Sequence, residues 1–545
     1  MRRTIKLLLA LAVPVLAGDM LLTAATTRDP LPVAAQIDKI INQKLAEAKI
    51  PASAVCDDGE FIRRAHLDII GRTPYPDRVA AFLKDTSPNK RALLIDELLA
   101  DSEYGEHFAD IWFHRLIKRD DDNRLLISES FADWLTGRFN KNDGWNKIVS
   151  DILTADGGRD KNPAVIYTLA HVGADRQPEP NRLTGSASTN FLGIKLECAE
   201  CHNHPFSTSK QTDFWGMAAF FEQTHASNTV NKAVKAGDVP AVSEGGKVKL
   251  KGKAAKKGDE QAPFGQIVIP DTKGKTVKAK FFNGPEPTVA GKTTLRPTLA
   301  TWVTAPTNPY FAKAAVNKWW ANFFGRGIVN PVDDMKPEAK PSHPQLLDML
   351  AKEFIASDFD LKHLVRCICN SQTYQRTSKP LAENKSDEEL YSHAAVRMMT
   401  TEQLYDSLEV ALNHAPAGKG AAKAKGAGKA GGGGPRAQFR KFFHTEADDD
   451  ASAVADYAHG IPQALRLMNS SEINNTTAVI ASLTKSEGTP EKVIEALYLR
   501  TLARTPSAAE TKKMAAYVNS SKDAARGYND VIWALLNSAE FLFNH

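Results

Sequence analysis

The sequence predicts a mainly α-helical protein with two helical domains, a small β-rich insert between them and a disordered Gly/Ala/Lys loop in the second domain. Apolar residues recur every three to four positions through most of the chain, which is typical of amphipathic helices. Strand-like stretches are confined to one region near the middle. With 545 residues, the chain is too long for one hydrophobic core. We therefore expect domains at 36–225 and 295–545, with the insert at 226–294.

Composition and charge narrow the class of protein. Hydrophobic residues make up 42% and charged residues 24% of the chain, as in soluble globular proteins. The formal net charge is only +5, and basic residues are spread among acidic ones. Nucleic acid is therefore not an expected partner.

The first 25 residues resemble a secretory signal peptide. Arg2, Arg3 and Lys6 precede an apolar run at 7–17, and small residues suitable for cleavage follow. We expect export to the periplasm or the cell surface. After removal of the signal peptide, no transmembrane segment is predicted.

Helices of the first domain follow from apolar spacing. They are expected at 37–48, 61–69, 94–99, 108–116, 131–139, 145–152 and 214–221, with a long loop at 157–180. Gly71 is expected to end the second helix. The polar residues around this helix are predicted to form a solvated face with an Arg64–Asp68 pair rather than to line a cleft; they are Arg63, Arg64, His66, Asp68 and Arg72.

The insert and the second domain are predicted in the same way. Short strands are expected at 247–250, 266–269 and 277–282. Helices are expected at 312–323, ended by Gly325, and at 346–354, 361–368, 514–518 and 531–541. Ser342 with Gln345, and Ser507 with Glu510, are spaced as capping boxes. The segment 414–436 has almost no apolar bulk, so it is predicted to be a flexible loop.

One segment contains a group of reactive side chains that packing rarely requires. Cys198, Cys201, His202 and His204 lie within seven positions, and thiolate and imidazole are preferred ligands of zinc and iron. Cys-x-x-Cys-His is also the attachment pattern of c-type haem. The other cysteines, Cys56, Cys367 and Cys369, are expected to be small buried residues without disulfides.

Three interpretations of this segment stay open. In the first, Cys198 and Cys201 bind haem covalently and His202 ligates the iron, with a redox partner and with Met217, His171 or His225 as distal ligand. In the second, the cysteines and His204 bind a Zn or Fe ion, with His202 or a remote residue completing the shell. Such a site could be hydrolytic, with Glu200, Asp213 or Glu222 as base. In the third, no metal binds, and the protein is a cell-surface interaction scaffold.

Several longer segments resemble known families. FIRRAHLDIIGRTPYPDRVAAFL (61–83), YGEHFADIW (104–112) and FLGIKLECAECHNHPF (191–206) resemble the planctomycete cytochrome-c-like domain of unknown function. NPYFAKAAVNKWWANFFGRGIV (308–329), SHPQLLDMLAKEF (342–354), SQTYQR (371–376) and ALLNSAEFLFNH (534–545) are similar to the planctomycete-specific domain that usually follows it. The resemblance implies an exported protein, and its cytochrome label rests on the pattern at Cys198, Cys201 and His202.

Overall fold

The structure, a computed structural model, describes residues 28–117, 129–173, 175, 177–203, 208–227, 239–244, 264–270, 272, 274–288, 295–412, 436, 439 and 476–545. Within these ranges the chain forms 20 α-helices and three small antiparallel sheets. The mainly α-helical fold class is therefore confirmed. The predicted signal peptide at 1–25 lies outside the described residues, and so does nearly all of the predicted loop at 414–436.

Ten helices precede the insert. They are α1 (Leu31–Ala48), α2 (Asp58–Ile70), α3 (Pro76–Lys84), α4 (Lys90–Ala100), α5 (Ser102–Leu116), α6 (Glu129–Asn140), α7 (Trp145–Leu153), α8 (Val165–Leu169), α9 (Pro180–Ala187) and α10 (Gln211–Ala218). A π-helical turn, Ser188–Leu192, and a 3-10 turn, Glu197–Ala199, lie between α9 and α10.

Ten further helices lie in the described residues after the insert. They are α11 (Leu295–Val303), α12 (Phe311–Phe324), α13 (Pro344–Ala356), α14 (Leu361–Cys369), α15 (Thr401–Leu412), α16 (Thr477–Glu487), α17 (Pro490–Leu502), α18 (Ala508–Ser520), α19 (Ala524–Leu536) and α20 (Ala539–Leu542). No helix in the described ranges combines the length and the apolar character that a membrane crossing requires.

The strands are short and pair in three antiparallel sheets. They are β1 (Gly157–Gly158), β2 (Thr224–Ala226), β3 (Ala241–Glu244), β4 (Gln266–Val268), β5 (Thr276–Lys278), β6 (Arg397–Met398) and β7 (Phe543–Asn544). The sheet orders are β1-β3-β2, β4-β5 and β6-β7. In the last sheet, Arg397 is opposite Asn544, so the C-terminal residues pair with the strand before α15.

Of the predicted helix starts and ends, three are confirmed and one is wrong. Gly71 and Gly325 both adopt left-handed φ angles, of 74° and 73°, directly after α2 and α12, as predicted. The capping box at Ser507 is also confirmed. The capping box at Ser342 is wrong: α13 begins at Pro344, and its N-cap, His343, makes no side-chain cap. The Ser342 hydroxyl instead donates to the carbonyl of Ile328 (3.2 Å).

Two further local predictions need adjustment. The expected loop at 157–180 contains β1 and the short buried helix α8. The helix α3 was not predicted; it begins at Pro76, whose missing N–H costs nothing at the first helical position. Strands β4 and β5 fall within or next to the predicted strands at 266–269 and 277–282, while 247–250 lies outside the described residues.

The prediction of a solvated face on α2 is wrong. All five of the predicted polar residues, four in α2 and Arg72 just after it, are buried, with exposures of 0% for Arg63, 2% for Arg64, 4% for His66, 5% for Asp68 and 8% for Arg72. Arg64 pairs with Glu60 (2.5 Å) and Asp68 pairs with Arg397 (2.7 Å), so the expected Arg64–Asp68 pair is replaced. Helix α2 is enclosed by α3, α4, α5 and the chain end.

One hydrophobic cluster extends from Ile37 to Tyr391 and so includes residues on both sides of the predicted boundary at 295. Within it, the rings of Phe108 on α5 and Trp319 on α12 stack with centroids 4.2 Å apart. A second cluster joins α15 to the helices near the C-terminus and contacts α2 through Leu67. The two helical regions therefore share packed surfaces.

Candidate functional site

The Cys/His segment forms an exposed turn between α9 and α10. Cys198 lies in the 3-10 turn, and Cys201 lies three residues further on; both thiols are exposed and unbonded. His202 is also exposed. His204 lies outside the described residues. The structure thus places three of the four predicted site residues on one short surface loop, which we call the CXXCH loop (residues 197–203).

Helix α10 fixes the backbone of the CXXCH loop. The indole N–H of Trp215 donates to the carbonyl of Glu200 (2.9 Å). The amide of Gln211 donates to the same carbonyl (3.2 Å) and to that of Cys201 (2.9 Å). Ala199, between the two cysteines, is completely buried beneath the loop. These contacts hold the backbone while leaving both thiols at the surface.

The chain leading into the loop is fixed from the other side. Gly193 has a φ of 68°, and a Cβ there would lie 2.7 Å from the side chain of Met335, so only glycine fits. The amide of Met335 donates to the Gly193 carbonyl (2.8 Å), and the amide of Lys195 donates to the Asp333 carbonyl (3.2 Å). The carboxylate of Asp333 forms a buried ion pair with Lys318 of α12. The segment that leads into the loop is therefore held by α12 and by the residues that follow it.

One nitrogen of the His202 imidazole has a hydrogen-bond partner. Its Nδ1 lies 2.9 Å from the carbonyl oxygen of Asn203. A carbonyl only accepts, so Nδ1 carries a proton, and in this tautomer the lone pair of the ring is on Nε2. Metal-bound histidines commonly hold their second nitrogen in this way. The side chain of Asn203 in turn accepts from the backbone of Gln211 (3.0 Å).

The three residues predicted as possible distal ligands are buried or half-buried. Met217 is 1% and His171 is 5% exposed, and Nδ1 of His171 contacts the carbonyl of Tyr167 (2.7 Å). His225 lies on β2, where burial lowers the pKa of its imidazole. In the described part of the chain, no three His, Cys, Asp or Glu side chains are arranged to hold a metal ion.

Of the three candidate bases, two are engaged by other groups, and the third lies after the end of α10. Glu200 accepts from the side-chain amide of Asn181 (2.9 Å). Asp213 accepts from the backbone of Lys210 (3.0 Å) and lies 3.5 Å from the ammonium of Lys280. Glu222 is exposed beyond the end of α10. The carboxylates of Glu200 and Asp213 therefore help to hold the loop and α10 in place.

Two polar clusters were missed from the sequence. The first is the buried network of α2, and the second is a cavity beside His343, which is 2% exposed. Both depend on partners far apart in the chain: the side chain of Asp68, for example, meets that of Asn544. The segments 371–376 and 534–545 supply much of the first network. Both segments carried the family resemblance, which was the sequence feature that could have pointed to this network.

Comparison with known families covers both halves of the chain. Residues 36–226 match PSCyt2, described as a protein of unknown function (DUF1549). Residues 295–427 match PSD1, described as a protein of unknown function (DUF1553). Neither a curated protein nor a solved structure matches the chain. The order of the two matches agrees with the predicted resemblance: residues 36–226 match the PSCyt2 family model, and residues 295–427 match the PSD1 family model.

Proposed function

We propose that the CXXCH loop is the attachment site of a c-type haem and that the protein is an exported electron-transfer protein. The observation that carries the proposal is the pairing of two exposed, unbonded thiols with an imidazole whose Nδ1 is occupied. Covalent attachment needs both thiols accessible and reduced. Axial ligation needs an unprotonated imidazole nitrogen, and the tautomer of His202 with its proton on Nδ1 would offer Nε2 for this role.

The donor set suits haem better than a preformed ion site. In haem attachment, each S–H of Cys198 and Cys201 adds across a separate vinyl double bond, so the sulfurs need not meet the imidazole at one point. An ion, in contrast, needs its donors within bonding distance of one centre. The described residues contain no such three-donor group, and His204, which the ion site requires, lies outside them, so this comparison concerns Cys198, Cys201 and His202 alone.

The residues of this chain would hold and orient the group. Trp215 and Gln211 fix the carbonyls between and beside the two thiols, and Asn203 fixes the ring of His202. The haem supplies a one-electron change of oxidation state when bound. The predicted export agrees with this proposal, because c-type haem is attached outside the cytoplasm.

A second candidate is a Zn or Fe ion bound by the loop. His204 favours it, because a haem site does not require this residue, whereas a Cys/Cys/His ion site does. A hydrolytic role has less support, since Glu200 and Asp213 are both engaged in hydrogen bonds that hold the loop and α10.

The test is to express the full chain in a host that attaches c-type haem. We expect a Soret band and a haem mass that persists after denaturation. Cys198→Ala combined with Cys201→Ala should abolish the retained mass, whereas Cys56→Ala, at a buried thiol elsewhere, should not. His202→Ala should keep the covalent mass but alter the absorption spectrum.

The other outcomes point to the alternatives. One equivalent of zinc or iron without a Soret band, lost in His204→Ala, would support the ion site. A colourless, metal-free protein whose stability is unchanged by chelators and by Cys198→Ala would leave the interaction scaffold at the cell surface as the remaining interpretation.

A further inference from the structure

The contact between Lys318 of α12 and Asp333 brings an amine and a carboxyl group together inside the protein. Both side chains are only 1% exposed. The helix itself is buried along nearly its whole length. Both groups are therefore removed from solvent.

Among the described residues, the pair has none of the additional hydrogen bonds that stabilise buried ions. In this part of the chain, Nζ of Lys318 and both carboxylate oxygens of Asp333 have no hydrogen-bond partner apart from each other. A buried ion pair offsets the cost of its desolvation only if the remaining donors and acceptors are also satisfied. An amide between the two side chains would replace two buried ions with one N–H and one C=O, and so would remove most of this cost.

The segment before Asp333 is tied to α12 next to Lys318. The side chain of Asn317, the preceding residue of the helix, donates to the carbonyls of Val329 (2.8 Å) and Val332 (3.2 Å). Its carbonyl oxygen accepts from the backbone N–H of Val329 (2.9 Å). The carboxyl group of Asp333 is thus held against the amine. Well-oriented intramolecular reactions reach effective concentrations of about 10⁵–10⁸ M.

The surroundings of Lys318 favour a neutral amine. Burial lowers the pKa of the Lys318 ammonium well below its ordinary value of 10.5, and the charges of Arg115 and Lys195 lower it further. Proton transfer within the pair then gives an amine and a carboxylic acid, which are the forms that react with each other. Desolvated lysine amines act as nucleophiles elsewhere in proteins.

We propose that Lys318 and Asp333 are joined by an isopeptide bond that the chain forms by itself. The lone pair of Nζ adds to Cγ of Asp333, so that an Nζ–Cγ bond forms and the Cγ–OH bond breaks. The hydroxyl leaves as water with one proton of the amine, so neither a redox partner nor an activating co-reactant is required. The product closes a covalent ring over residues 318–333, next to the segment that leads into the CXXCH loop, and it does not depend on what the loop binds.

The test is tryptic digestion of the denatured full chain followed by mass spectrometry, because stability alone does not distinguish an ion pair from a covalent bond. Trypsin should not cut after Lys318, whose amine is acylated. The peptide 314–326 should stay joined to the peptide that begins at Gly327, and the mass should be one water below the sum of the two. Fragmentation should place the link at Asp333.

An exposed pair on the same helix provides the internal control. Lys313 lies 2.6 Å from Asp348, but these side chains are 40% and 53% exposed. Solvent stabilises both charges there, so trypsin should cut after Lys313 and the two peptides should separate.

A variant distinguishes the isopeptide bond from a cyclic imide at Asp333, which also loses one water. Lys318→Met should restore the full mass of the peptide that begins at Gly327, whereas an imide would persist. The wild-type digest decides the question even if this variant does not fold. Cleavage after Lys318 in the wild-type protein, or a loss of water that persists in Lys318→Met, would overturn the proposal.

Discussion

The side chain of Asn544 donates a hydrogen bond to the carboxylate of Asp68 (2.7 Å), across 476 positions of sequence. The same carboxylate accepts from the guanidinium of Arg397 (2.7 Å) and from the hydroxyl of Tyr374 (2.9 Å). Asp68 therefore joins α2 to β6, to β7 and to the segment after α14. The C-terminal strand is held by charge and hydrogen bonds in addition to apolar packing.

Asp68→Ala should be among the most destabilising single substitutions in the chain. It leaves the side chains of Arg397, Tyr374 and Asn544 without their common acceptor in a buried site. Removing one partner of a buried ion pair costs roughly 3–5 kcal/mol. Urea unfolding should show this loss, while Asp77→Ala, at an exposed position of α3, should stay within about 0.5 kcal/mol of wild type. A loss below about 1 kcal/mol for Asp68→Ala would contradict the assigned role.

His66 should make the fold sensitive to acid. Burial, followed by the charge of Arg72, lowers the pKa of His66 to about 3, from an ordinary value of 6.5. Between these values the unfolded chain binds the proton and the folded chain does not, so stability falls as the pH falls below 6.5. Over the interval from pH 6.5 to 5, this residue contributes a loss of about 2 kcal/mol.

His66→Gln tests this contribution. The amide of glutamine can replace the Nδ1–H that faces the carbonyl of Ile62 (2.9 Å), but it does not titrate. Chemical unfolding at pH 6.5 and at pH 5 should show a smaller loss of stability in the variant than in wild type, by about 2 kcal/mol. Identical losses in the two proteins would show that other groups control the acid sensitivity.

Local patterns predicted twelve helical segments that coincide with helices of the described structure, because apolar periodicity is a property of neighbouring residues. The stripe on α12 and its end at Gly325 needed no information from elsewhere in the chain. The position of the CXXCH loop before α10 could also be predicted, since the apolar residues that follow the motif form that helix.

The burial of α2 could not be predicted in the same way. Its residues look polar enough for solvent, and their acceptors are backbone carbonyls far along the chain. Arg63 donates to the carbonyls of Thr501 (3.0 Å) and Phe541 (2.6 Å), 438 and 478 positions away. Any residue type can offer a carbonyl, so no sequence pattern marks these partners.

Trp215→Phe should loosen the CXXCH loop without unfolding the protein. Phenylalanine retains most of the apolar contact but loses the hydrogen bond to the carbonyl of Glu200. We expect a loss of about 1 kcal/mol in global stability. Hydrogen exchange should be faster in the CXXCH loop. Trp302→Phe, at a partly buried indole stacked 4.9 Å from Phe281, serves as the control and should not change exchange in the loop. Unchanged loop exchange in Trp215→Phe would argue against the anchoring role.

The ion pair of Lys318 and Asp333 beneath the loop should show strong coupling in a double-mutant cycle. Both side chains are 1% exposed, so either charge left alone is buried without compensation. Lys318→Met and Asp333→Leu should each cost roughly 3–5 kcal/mol. The double variant should be more stable than the sum of the two losses predicts, because it buries no charge, and the coupling energy should reach at least about 2 kcal/mol.

The cycle also reports on the loop, since the backbone carbonyl of Asp333 accepts from the amide of Lys195 (3.2 Å). If the pair positions this segment, each single variant should speed hydrogen exchange of the Lys195 amide, and the double variant should restore part of the protection. The exposed pair of Lys147 and Asp358, 2.9 Å apart, provides the reference cycle, with a coupling of about 0–1 kcal/mol expected. Equal coupling energies in the two cycles would mean that burial adds nothing to the Lys318–Asp333 interaction. The position of the segment around Lys195 and Asp333 would then depend on apolar packing alone.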